Sequence, residues 1–134
     1  MGKESGTQKL HFRVRFEFKV VAGPFRLFAK REDLKEKAAE NRRKKVKILQ
    51  QVPVKGINIL EIDPHHTVYL NEEEGRKVAY APVEVIFEAD SLEDAIPFLI
   101  SKDFSNVELM YPDHVALSPQ EFEQLIEKMN NKLK

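Results

Sequence analysis

Cysteine and tryptophan are absent from this chain, and its five glycines stand singly at positions 2, 6, 23, 56 and 75. Without cysteine there is no disulfide, no thiolate zinc site, no iron-sulfur cluster and no thiol nucleophile. With isolated glycines neither the GxGxxG nor the GxxxxGKS/T phosphate loop can be assembled. No GxSxG elbow surrounds Ser91, Ser101, Ser105 or Ser118, so the serines carry no hydrolase signature. No apolar run approaches the roughly 18 residues of a membrane span, and the opening MGKESGTQ lacks the apolar centre of a signal peptide. Gly6 stands where a myristoylation pattern needs Ser or Thr. A cytoplasmic location with no membrane partner is expected.

What is present is a charged chain of 134 residues, 42% hydrophobic and 33% charged, with nine phenylalanines. This is the composition of a soluble folded domain and not of a disordered segment. Residues 1–8 read as a loose tail and 9–134 as one domain, a length that buries about two thirds of the surface its unfolded chain exposes. Formal net charge is zero, yet residues 1–60 hold 16 Lys and Arg against 6 Asp and Glu, and residues 61–134 hold 6 against 16, giving +10 and −10. Either the halves interleave in the sheet and their charges mix, or the molecule has a basic and an acidic face suited to an anionic partner or to self-association.

The clearest local signal runs from Arg76 to Ser101. Ala79, Ala81, Val83, Val85 and Phe87 alternate along a strand. After Asp90 and a capping Ser91 the period becomes 3.6, with Leu92, Ala95, Ile96, Leu99 and Ile100 on one stripe. Pro82 cannot donate to a ladder, so the strand is an edge there or bulges. Pro97 removes the bond to the carbonyl of Glu93 and is expected to kink the helix or tighten its first turn.

Lys9–Val20 alternates in the same way, with Leu10, Phe12, Val14, Phe16, Phe18 and Val20 on a buried side and His11, Arg13, Arg15, Glu17 and Lys19 on a wet one. Residues 25–30 are either a return strand after Gly23-Pro24, making Lys9–Lys30 a hairpin, or the approach to a helix. Asp33 and Glu36 read as a cap and its reciprocal acid, opening a helix with a narrow apolar edge at Leu34 and Ala38. Either that helix continues to Gln51 before Pro53 stops it, or it ends near Lys45 and a strand begins where Val46 and Ile48 alternate with Lys45 and Lys47; the second is expected. Ile57–Ile62 is a strand, Asp63-Pro64 a reversal, and Thr67–Asn71 the returning strand. The loop Asn71–Gly75 then leads into Arg76–Glu88, so the three strands are expected to form an antiparallel meander. Asn106–Tyr111 is a short strand. Ser118-Pro119-Gln120-Glu121 is a capping box opening a helix whose stripe is Phe122, Leu125, Ile126, Met129 and Leu133.

These elements give an α+β fold, a two-layer sandwich with a mostly antiparallel sheet and helices packed on one face. The specific expectation is a ferredoxin-like βαββαβ arrangement with an extra hairpin strand and a C-terminal helix. Such a fold hosts many functions, so function must come from a site.

Three sites are candidates. Arg42, Arg43, Lys44, Lys45 and Lys47, joined by Arg13 and Arg15 from the wet side of the first strand, would neutralise phosphates of a nucleic acid or another polyanion. Against that, the phenylalanines of the first strand fall on its buried side, so no stacking platform is expected. Bases at the end of a helix that begins with acids also suit its dipole without any ligand. Asp63, His65 and His66, completed by distant Asp113 and His114, are the residues nearest to a metal set, though no spaced third ligand or HExxH accompanies them. The expected reading, ahead of polyanion binding and of a metal-dependent enzyme at the His65/His66 turn, is a non-catalytic interaction module, a homodimer or a partner for another protein, suited by a long first strand, the edge suggested by Pro82 and opposed charges. No cofactor and no catalytic residue is called for.

Overall fold

Two long alternating strands form the centre of the molecule, and their apolar sides decide where everything else packs. The computed structural model describes residues 9–23, 31–51 and 53–133. The expected tail and the question of a strand at 25–30 lie outside them. The elements are β1 (Leu10–Val21), α1 (Arg31–Gln51), β2 (Ile57–Asp63), β3 (Tyr69–Glu73), β4 (Arg76–Ala89), α2 (Leu92–Leu99), β5 (Phe104–Tyr111) and α3 (Pro119–Leu133).

Strand β1 pairs antiparallel with β4 from Leu10↔Ala89 to Val21↔Val78, and with β5 on its other side. The full order is β2-β4-β1-β5, with β3 also on β4. Strand β2 runs along Glu84–Ala89 and β3 along Arg76–Tyr80, both antiparallel to β4. The expected meander is therefore wrong at Asp63-Pro64. The chain does not reverse there but continues in the same direction along the same edge, so β2 and β3 are one strand interrupted by residues 64–68. Only the turn between β3 and β4 reverses, through Glu74 (φ 53°) and Gly75 (φ 76°). With β2 and β3 taken together, the order is that of a split βαββαβ unit, and the extra strand is this interruption.

The core lies on the side of β1 and β4 that carries Phe12, Val14, Phe16, Val83, Val85 and Phe87, all buried. Phe87 stacks on Phe12 at 5.2 Å and meets Phe98 of α2 edge-on at 4.7 Å. Helix α1 rides close to the sheet because small residues face one another there: Ala38 with Leu34 against Ala79 and Ala81.

Helix α1 begins at Arg31, so Asp33 lies in its first turn and is not the cap. It also does not give way to a strand at Val46. It runs on to Gln51, with Val46 and Leu49 packed on the core. Its inward stripe passes through Arg42 and Lys45, whose stems cover apolar surface while their charged ends find polar or aromatic partners. Lys45 Nζ lies 6.0 Å from the centre of the Phe18 ring.

Helix α2 is capped by Ser91, whose hydroxyl accepts from Asp94 N–H at 3.1 Å. Helix α3 has its capping box in full: Glu121 N–H donates to Ser118 Oγ at 3.1 Å, and Ser118 N–H to Glu121 Oε1 at 2.8 Å. It packs chiefly on α2 and not on the sheet, and none of its residues is buried. No described helix is long and apolar enough to cross a membrane.

Candidate functional site

The wet side of β1 faces away from the helices, and on that open sheet face the two charge halves of the chain interleave. Lys9 meets Asp90 at 2.8 Å, His11 meets Glu88 at 3.3 Å, Arg13 meets Glu108 at 3.0 Å and Lys19 meets Glu73 at 3.3 Å. Arg15 bonds Glu17 at 2.9 Å and lies 3.8 Å from Glu84. Cross-strand register produces this, since β4 and β5 bring acids from the second half against bases from the first. Arg13 and Arg15 are thus neutralised locally.

Two tyrosines extend this face. Tyr69 and Tyr80 stack at 5.2 Å. Burial, helped by donation to Glu17 Oε1 at 2.7 Å, pushes the Tyr69 hydroxyl up to about 12. Donation to Glu73, then burial, pushes Tyr80 up to about 12 as well. The same bond holds Glu73 below the usual carboxylate range.

The basic residues of α1 lie on the other layer, so they do not join Arg13 and Arg15 in one surface. Arg42 is engaged structurally: its guanidinium donates to the carbonyls of His66 at 2.7 Å and Pro82 at 2.9 Å. Burial lowers its pKa. Lys45 borders an apolar cleft of about 390 Å³ between α1 and α2, floored by Phe16, Phe18, Leu49 and Phe98, with Lys132 at its rim. Of the five candidate residues of α1, Arg43, Lys44 and Lys47 are exposed, with no carboxylate partner among the described residues.

The histidine turn does not assemble a metal set. Asp63 Oδ1 accepts from His65 N–H at 3.0 Å, an Asx turn that ends β2. The His66 ring stands 3.5 Å from Asp63 and 3.8 Å from Glu84. His114 follows β5 at the opposite edge, about 14 Å away across the sheet by strand spacing, and lies beyond the His11 end of β1 while His66 sits level with Arg15. Among the described residues no three such groups are placed to hold a metal.

A region not singled out from the sequence is the exposed apolar surface near the C-terminus. Of fourteen large hydrophobic residues exposed among the described ones, nine fall between Phe104 and Leu133. In α3, Phe122 is 55% and Leu133 69% exposed, with Ile126 and Met129 also uncovered. Only Leu125 of the stripe is drawn in, at the small cavity it shares with Leu92 of α2. The sequence held a signal for this: three amphipathic helices compete for one sheet face, and two already cover it. No family model, curated protein or solved structure matches the chain.

Proposed function

We propose that the chain is a non-catalytic self-association module whose working surface is its C-terminal segment, β5 and α3. The observation that carries this is the α3 stripe. Phe122, Ile126, Met129 and Leu133 repeat at helical spacing yet stay exposed, while the same pattern in α2 is covered. Large contiguous apolar surface marks an interaction site in a soluble protein. A second copy is the simplest partner, because a two-fold contact brings the same patch to both sides.

Sedimentation velocity over a concentration series tests it. The full chain is expected to exceed 15.6 kDa, and Phe122→Glu with Ile126→Glu to weaken the association by roughly tenfold or more, about 1.4 kcal/mol. A monomer at all concentrations would count against the proposal.

A second reading is supported by Arg43, Lys44 and Lys47, an outward cationic row that fits a polyanion. Retention on heparin that falls with salt, and is lost when all three become Ala, is its expected behaviour. Unchanged elution of the triple variant would remove it.

A further inference from the structure

The two edges of the sheet are not equivalent. The β2 and β3 edge is broken at residues 64–68 and protected by the Arg42 bridge across the break. The other edge, β5, runs eight residues as FSNVELMY without proline, glycine or lysine, and all but Leu109 are exposed. No described strand pairs with its outer side. Its register against β1 shifts at Ser105 and at Met110, which leaves Asn106–Leu109 as the regular stretch, and an exposed edge of this kind templates pairing with another chain.

The orientation of that edge follows from the ladder. Glu17 N–H bonds Asp103 O, so odd-numbered residues of β1 turn their backbones toward β5. In the register Arg13↔Glu108 and Arg15↔Asn106, Glu108 and Asn106 turn toward β1. The backbone N–H and C=O of Val107 and Leu109 therefore point outward.

We infer that β5 pairs antiparallel with β5 of a second copy, about a two-fold axis at Val107, joining the two sheets into one. The register follows from side-chain chemistry. Centred on Val107, the pairing sets Val107 opposite Val107 and Asn106 opposite Glu108, within the regular stretch Asn106–Leu109. Centred on Glu108, it would set two carboxylates directly opposite, which is destabilising. This rests on the self-association reading and specifies its geometry.

The absence of cysteine allows a clean test. Under mild oxidation Val107→Cys is expected to cross-link to itself, since facing residues sit within disulfide reach. Leu109→Cys is not, because the same axis separates the two copies of residue 109 by about 13 Å. Val107→Pro provides a variant that keeps the β1 ladder, removes only an outward N–H, and is expected to abolish the dimer with unchanged circular dichroism. Dimers in sedimentation with no Val107→Cys cross-link, or a Val107→Pro dimer of undiminished strength, would overturn the edge pairing and leave self-association standing. A monomer in sedimentation would end both.

Discussion

The Arg42 guanidinium, from the middle of α1, donates to the carbonyl of Pro82 in the middle of β4 at 2.9 Å. Pro82 lies opposite Glu17, whose N–H serves β5, so the backbone of Pro82 faces the β2 and β3 edge. Its neighbours in that ladder are taken by Asp63 at Glu84 and by Tyr69 at Tyr80. Pro82 itself has no N–H to offer, the edge strand detaches beside it, and Arg42 satisfies the carbonyls exposed on both sides of the gap.

Arg42→Met keeps the apolar stem and removes both bonds. The expected cost is about 2–3 kcal/mol, because charged donors to half-buried carbonyls are among the stronger hydrogen bonds. Urea unfolding of Arg42→Met, with Arg42→Lys recovering part of the loss, checks this; an unchanged midpoint would contradict it.

Gly56 has φ +75°, and a Cβ placed on it would lie 2.3 Å from Cγ of Asp94. Gly56→Ala is therefore strained twice, in its backbone and against the first turn of α2. The left-handed conformation alone costs about 1–2 kcal/mol. Adding Asp94→Ala is expected to recover some of the loss, so a double-mutant cycle should show coupling.

Tyr69 and Tyr80 give a prediction in alkali. Both hydroxyls titrate near 12 in the folded protein, against about 10 in an unfolded chain. Below that range both states keep the protons and pH has no effect through these groups. Between about pH 10 and 12 the unfolded chain has released protons that the folded one retains, so stability falls as pH rises. Ultraviolet absorbance should show two late tyrosinate steps, and Tyr69→Phe or Tyr80→Phe should each remove one.

Burial separates two phenylalanines of similar sequence character. Phe87, fully enclosed between Phe12 and Phe98, is expected to cost about 3–5 kcal/mol on truncation to Ala. Phe122, more than half exposed, should cost no more than about 0.5 kcal/mol in dilute, dissociated protein. Thermal melts at low concentration compare them.

Strict alternation made β1 and β4 legible from sequence, and Ser118 with Glu121 marked the start of α3. Four features were not legible. The second half of α1 was hidden because Arg42 and Lys45 occupy inward positions that a hydrophobic pattern counts as wet. Asp63-Pro64 carries the residues of a reversing turn, but direction is set by pairing, and β4 is long enough to hold β2 and β3 end to end. The candidate basic surface failed to form for a related reason. Which acid meets Arg13 or Arg15 is decided by register between strands distant in sequence, and the face opposite the helices could not be shared with α1. The histidines of the turn were likewise separated from His114 by the width of the sheet.

The position of β1 also constrains how the molecule is made. Both of its neighbours come late, β4 beginning at Arg76 and β5 at Phe104. A chain synthesised through residue 75 carries the central strand with neither partner, along with 16 of the 22 Lys and Arg but only 11 of the 22 Asp and Glu. Local contacts in that segment are limited to α1 and the short edge strands, so the sheet has no early nucleus on the amino-terminal side. Assembly must await the emergence of β4, and until then the alternating phenylalanines of β1 are the part of the nascent protein most in need of protection from aggregation.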